Sequence, residues 1–323
     1  MIRSVFSRLG GFTLALGLTT VPLTVVAEGT GPDADFPNKP IVLLSWSAAG
    51  SPVDVMAREI AKLAPKYLHQ PMVVEDRTGG DGANAMQAVL SAPSDGYMLL
   101  ANTRSLMATL NTDLKAKFAP SDFDFISTIE TDPYAVAVPI DSPYKKFDDL
   151  LAAARTSAVV VGGYGADSAH ALLGRSIAAK FGVKFAWVPF SGGSAAMTAL
   201  LGSHIAAMIG NVSELKAQVE GGKVRVLALT TAKPIAAFKD AVPLAEHNPK
   251  FAISHWRGVM AKAGTPSAVE AKLDRFFQQV TQDSEFRAYV AAANLTPFYN
   301  GPGRVSDIVR SDMSVMARQL SEK

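Results

Sequence analysis

The chain has no cysteine in 323 residues. That excludes disulfide staples, thiolate zinc sites, Cys-ligated iron–sulfur clusters and thiol nucleophiles. Net charge is nearly absent, with 31 basic against 29 acidic side chains, so there is no electrostatic footprint for nucleic acid or an anionic membrane. Beyond the N-terminal segment no apolar run is long enough to span a bilayer. Histidine is scarce, five residues at positions 69, 170, 204, 247 and 255, and none of their spacings suits a metal site. No G-x-S-x-G elbow marks a hydrolase. "GYGADS", from Gly163 to Ser168, lacks the third glycine and the distant acid of a dinucleotide fingerprint. Neither a cofactor nor a metal is expected.

Present instead is the pattern of an exported α/β protein. Residues 1–27 combine Arg3 and Arg8, an apolar stretch and the ending Val25-Val26-Ala27, the three parts of a cleaved secretory signal. A membrane anchor is the alternative, disfavoured by Pro22 and by the polar sequence that follows. Cleavage near Ala27 removes both arginines and leaves a mature chain close to neutral. A cysteine-free exported chain of roughly 300 residues suits the bacterial periplasm and has length for two domains.

Apolar runs alternate with helical periodicity. Strands are expected at Ile41–Ser45, Met72–Glu75, Tyr97–Ala101, Ala135–Val138, Val159–Val161, Phe185–Val188, Ile205–Ile209 and Val224–Leu229. Most are continuous rather than alternating, as parallel strands buried on both faces are, and the alternation with helices gives an α/β class. In "SWSAAGSPVD" a small-residue loop leads to Ser51, Pro52 and Asp54: an N-cap, proline at the first helical position and a carboxylate at the third. Pro65 is expected to end that helix. The same device recurs after three later strands, with Asp167 or Ser168 as cap, a helix starting near Gly193, and an Asn211/Glu214 capping box. Each junction sets a helix N-terminus at the ligand-binding edge of a sheet. Helix caps in any α/β protein satisfy backbone donors too, so these junctions are equally compatible with a purely structural role.

Taken in order, "FPNKPIVLLSWSAAGSPVD", "QPMVVEDRTGGDG", "SDGYMLL", "SAHALLG", "VPFSGG", "LLGSHIAAMIGN", "GGKVRVLALTTAKP" and "SHWRGVMAKAGTP" resemble the Bug receptors, solute-binding proteins of tripartite tricarboxylate transporters. The resemblance covers essentially the whole mature chain. It implies a type II periplasmic-binding-protein fold: two α/β lobes, a double crossover hinge and a ligand cleft between them. Lobe 1 would be residues 37–132 plus 254–323, and lobe 2 residues 133–253. It further implies a non-enzymatic monomer that closes on a small carboxylate, dicarboxylate or aromatic acid, and delivers it to membrane subunits of the transporter.

Carried over position by position, the resemblance draws the site from Trp46, Ser47, Ala49, Gly50 and Ser51; Asn102, Thr103, Arg104 and Ser105; Tyr164, Ser168 and His170; Ser191, Gly192 and Gly193; and Asn211, to which the residues themselves add Phe190 and Arg257 as candidates. Serine hydroxyls and glycine amides would donate to carboxylate oxygens. Trp46, Tyr164 and Phe190 would form flat walls suited to a phthalate-type acid, or else belong to the core. His170 would touch ligand or cap backbone. Three departures stand out. The first loop has serines where a Pro-Gly-Gly run is usual, Gly210 stands where many relatives have Asp, and Arg257 replaces an apolar residue. Arg104 and Arg257 would each either grip a carboxylate bidentately or lie in solvent. The rival reading from another class is an exported α/β hydrolase of a small ester, which requires a Ser–His hydrogen bond.

Overall fold

A computed structural model describes residues 35–111 and 113–321. The expected signal segment lies outside the described residues. The chain begins with β1 (Ile41–Ser45), α1 (Pro52–Leu68), β2 (Met72–Asp76), α2 (Ala83–Ser91), β3 (Met98–Thr103) and α3 (Arg104–Thr109). It continues with β4 (Phe123–Pro139), α4 (Phe147–Thr156), β5 (Val159–Tyr164), α5 (Ala169–Phe181), β6 (Phe185–Phe190), α6 (Gly193–Leu201), β7 (Ala207–Asn211), α7 (Val212–Glu220) and β8 (Val224–Leu229). The return runs through β9 (Val242–Pro243), β10 (Ser254–Lys262), α8 (Ser267–Gln282), α9 (Ser284–Ala292), β11 (Thr296–Asn300) and α10 (Pro302–Ser321).

β1 pairs in parallel with β2 and β3, and β5 with β6 and β7, as the continuous apolar runs require. The two parallel groups meet on β4, which is far longer than the stretch expected from sequence. Its first part, Phe123–Pro133, pairs with β10, and Tyr134–Pro139 pairs with β7 and β8, all antiparallel. β10 lies between β3 and β4. The result is a mixed α/β architecture, with β4 and the return into β10 as the two passages between halves.

One apolar core lies under β1–β3, α1, α2 and α8, built on Ile41, Leu43, Leu44, Met56, Phe276 and Phe277. Two more cover opposite faces of the second group, one around Val161, Leu173 and Ile209, the other around Leu200, Met208 and Leu229. Burying each such side chain contributes about 1.5–3 kcal/mol. α10 ties the halves together: Val305 and Val309 join the first core and Met316 the second.

Local signals explain the helix starts. Ser51 caps α1, accepting from the Asp54 N–H at 3.4 Å, with Pro52 at the first turn. α1 runs past Pro65 to Leu68 and ends at His69 in left-handed geometry, φ 56°. A proline so near the end forfeits one backbone bond and leaves the final turn standing. Ser168 caps α5 through the Ala171 N–H. The Asn211/Glu214 box is half formed: Glu214 Oε2 accepts from the Asn211 N–H at 3.1 Å, while the Asn211 side chain turns elsewhere.

Candidate functional site

A cavity of about 240 Å³ lies between the two halves. At about 30 Å³ per water this is room for roughly eight waters, or a ligand of comparable heavy-atom count. From the β1–α1 loop come Trp46, Ser47, Ala49 and Ser51, with Ala48, Pro52 and Val53; Thr103 and Ser105 come from the start of α3. The other half supplies Tyr164, His170, Ser191, Gly192, Gly193 and Asn211, with Ser194, Ala195 and Glu214, while β10 supplies His255 and Arg257. The N-terminal ends of α1, α6 and α7 thus converge on one space, each with free N–H groups and a partial positive charge.

Beneath the cavity lies a buried ionic network. Arg257 Nη1 donates to Glu130 Oε1 at 2.7 Å and Nη2 to Asp132 Oδ2 at 2.5 Å. Asp132 also accepts from the N–H and hydroxyl of Ser213 in the first turn of α7. Burial opposes the Arg257 charge, but Asp132 and Glu130 outweigh it and hold its pKa above the ordinary value. Arg257 is therefore fixed and neutralised inside the protein.

The titratable groups on the cavity wall are perturbed by burial. His170 is pulled down to about 4, chiefly by desolvation, and His255 well below its usual value for the same reason. Both are neutral imidazoles near pH 7. His170 Nε2 lies 3.0 Å from Asn211 Oδ1, and His255 Nδ1 lies 3.0 Å from the Tyr134 hydroxyl, so neither makes these bonds with a serine. Burial pushes Glu214 up to about 7, against the pull of the Asn211 N–H. Its carboxyl fills the place a Cβ would take at Gly193. Three cavity-wall residues also hold buried polar atoms without a hydrogen-bond partner among the described residues: Trp46 Nε1, Ser105 Oγ and His170 Nδ1. No cluster of three metal-ligating side chains occurs among the described residues.

The model for the tripartite tricarboxylate transporter family receptor matches residues 56–318. The chain belongs to this family. A UPF0065 protein of Bordetella bronchiseptica is 33% identical over 273 residues, covering 84% of this chain and 81% of that protein. A ligand-free solute-binding protein from Polaromonas superposes with a TM-score of 0.71 at 28% identity, over 89% of this chain and 100% of the other. A Rhodopseudomonas palustris protein solved with adipate has the same fold, with a TM-score of 0.82 at 23% identity over 88% and 97% of the two chains. Receptors of this family are periplasmic and bind solutes. Among the described residues no helix is long and apolar enough to cross a membrane.

Five expected site residues of this receptor lie outside the cavity. Arg104 is buried, its guanidinium forked onto Asp312 of α10 at 3.0 and 3.2 Å. Asp312 also accepts from Trp256 Nε1 at 2.6 Å, so Arg104 anchors α10. Phe190 packs on the second group's core, and its ring crosses β5 where Gly162 has no side chain; a Cβ there would lie 2.7 Å from Cε2. Glycines that read as a ligand loop thus belong to β5 and accommodate an aromatic ring. Asn102 is buried within β3, opposite Gly258 of β10. Ser168 donates to the Tyr164 carbonyl and faces a smaller side cavity. Gly50 gives its N–H to Asp54 Oδ2 at 2.8 Å and borders a neighbouring cavity. Its φ of +77° is a left-handed turn suited to glycine.

Among the wall residues that the sequence reading did not name for the site are two titratable ones, Glu214 and His255. Glu214 was visible only as a cap, and nothing in its spacing signals a second role. His255 was legible in principle, because strand alternation sets residues 255 and 257 on one face of β10.

Proposed function

We propose that this receptor captures a small carboxylate in the 240 Å³ cavity and hands it to the membrane subunits of a tripartite tricarboxylate transporter, acting as a monomer without catalysis. Residues 37–132 with 254–323 form one lobe and 133–253 the other, closing about the β4 and β10 passages. The single observation that carries the reading is that two residues lining the cavity, Trp46 and Ser105, hold buried donors, Nε1 and Oγ, that lack acceptors among the described residues. A buried unsatisfied donor costs about 1–3 kcal/mol, which a ligand oxygen relieves. The N-termini of α1, α6 and α7 favour that oxygen being anionic. Ser47, Ser51, Ser191 and the Gly193 amide complete a neutral donor set; Thr103 and Asn211 flank it.

Trp46 and Tyr164, edge to face at 5.7 Å, form the apolar wall. They suit an aliphatic chain or one aromatic ring, so phthalate-type acids belong in the ligand panel beside aliphatic diacids. The test is a thermal-shift screen of the mature, ligand-stripped protein against aliphatic and aromatic mono- and dicarboxylates. A ligand at a hundred times its Kd adds about 2.7 kcal/mol, a clear rise in Tm. No rise with any carboxylate would sink the proposal.

A further inference from the structure

His170 occupies the second position of α5, buried among Tyr134 at 4.9 Å, His255 at 5.7 Å and Tyr164 at 6.2 Å between ring centroids. Its hydrogen-bonding state follows from its neighbours. Asn211 Nδ2 donates to the main-chain carbonyl of Asp132 at 3.4 Å. A carbonyl can only accept, so the amide is oriented with Oδ1 toward His170 Nε2, 3.0 Å away. That oxygen is also acceptor-only, so Nε2 carries the proton. Burial keeps the ring neutral down to about pH 4. Nδ1 is then a bare lone pair, buried and without a partner among the described residues.

An acceptor on the wall of a site otherwise rich in donors discriminates. It repels a carboxylate oxygen and attracts an O–H or N–H. The donor it attracts is uncharged, because burying an ammonium against a single neutral lone pair costs more than that hydrogen bond returns. We infer that His170 makes the receptor selective for carboxylates bearing a hydroxyl or amide N–H, with Nδ1 accepting from that group. This rests on the carboxylate reading above. The carboxylate itself meets the donors of Trp46, Ser105 and the α6 N-terminus.

Matched pairs in titration calorimetry at pH 7 test the inference: succinate and malate, glutarate and 2-hydroxyglutarate, benzoate and 2-hydroxybenzoate, with aspartate as the ammonium counterpart of malate. Within the skeleton that binds, the hydroxy acid is expected to bind about tenfold tighter than its parent, and aspartate no tighter than succinate. His170→Gln keeps an N–H near the Nε2 position and has no acceptor at Nδ1, so its ratio falls to within about twofold of unity. His170→Asn, with an amide near the Nδ1 position, retains the preference and serves if the Gln variant fails to fold. Equal binding of both members by the wild-type protein overturns the inference and leaves the carboxylate reading intact. A preference that survives His170→Gln also overturns it. Binding of no acid in any pair removes both.

Discussion

Glu214 gives the sharpest test of the cavity's electrostatics. Its carboxyl stands on the cavity wall between the first turns of α6 and α7, packed onto Gly193 and accepting from the Asn211 N–H. Burial, with Asp132 nearby, raises its pKa to about 7, while the Asn211 N–H and Arg257 pull the other way. A raised carboxyl is protonated below that value and anionic above it. The neutral form tolerates a ligand carboxylate, and the anion repels it. If only the protonated form binds, the competent fraction falls from about 10/11 at pH 6 to 1/11 at pH 8, so affinity drops about tenfold. The cavity histidines do not confuse this window, since both are held well below it. Glu130, also raised to about 7 by burial, shares the window but lies beneath the wall. Glu214→Gln separates the two: it keeps an acceptor for Asn211 and removes the titration. Calorimetry with the best carboxylate at pH 6, 7 and 8 and fixed ionic strength should show a tenfold slope for wild type and a flat profile for Glu214→Gln. A flat wild-type profile, or a slope unchanged in the variant, refutes the reasoning.

Arg257→Met leaves Glu130 and Asp132 buried without their cation and should cost about 3–5 kcal/mol, read as a lower urea midpoint at unchanged slope; a loss under about 1 kcal/mol would show that the pair carries little net energy. Arg104→Met releases Asp312 and should lower stability by about 1–3 kcal/mol while carboxylate affinity stays within twofold; a tenfold loss of affinity would return Arg104 to the site.

The strands and helix starts that sequence made legible are those with apolar runs and local caps, such as β1 with Ser51 and Pro52 or β5 with Ser168. β4 was legible only at Ala135–Val138, because its first part carries Ser127, Thr128, Glu130 and Asp132, all buried. Such residues break an apolar run, and they are buried because partners distant in sequence satisfy them: Arg257 for the acids, Ser213 for Asp132, Asn300 and the Phe298 carbonyl for Thr128. β10 was missed for the complementary reason, since Arg257 makes sense inside a strand only once Glu130 and Asp132 are known to face it. The loop residues that line the cavity were legible because small polar residues at strand–helix junctions have a local cause. Arg104 was misplaced because its partner, Asp312, is 208 residues away, and no local spacing reports that.

The same network bears on how the site holds an anion. Asp132 lies where β4 passes between halves, joined at once to Arg257 of β10 and to the first turn of α7. Its carboxylate balances a guanidinium that would otherwise stand beneath the cavity as a full charge. A bare arginine there would grip any carboxylate bidentately, whatever its remaining groups. With that charge neutralised, the proposed binding falls to hydroxyls, amides and the indole N–H, each directional and each satisfied only by an oxygen in the right place. On the proposed reading, affinity depends on the ligand's whole hydrogen-bond pattern, including the position where His170 offers a lone pair instead of a proton. Paired to Glu130 and Asp132, the Arg257 guanidinium is not free to make that grip. It braces the junction of the two halves, and the internal carboxylates keep its charge from overriding the selectivity of the neutral donors.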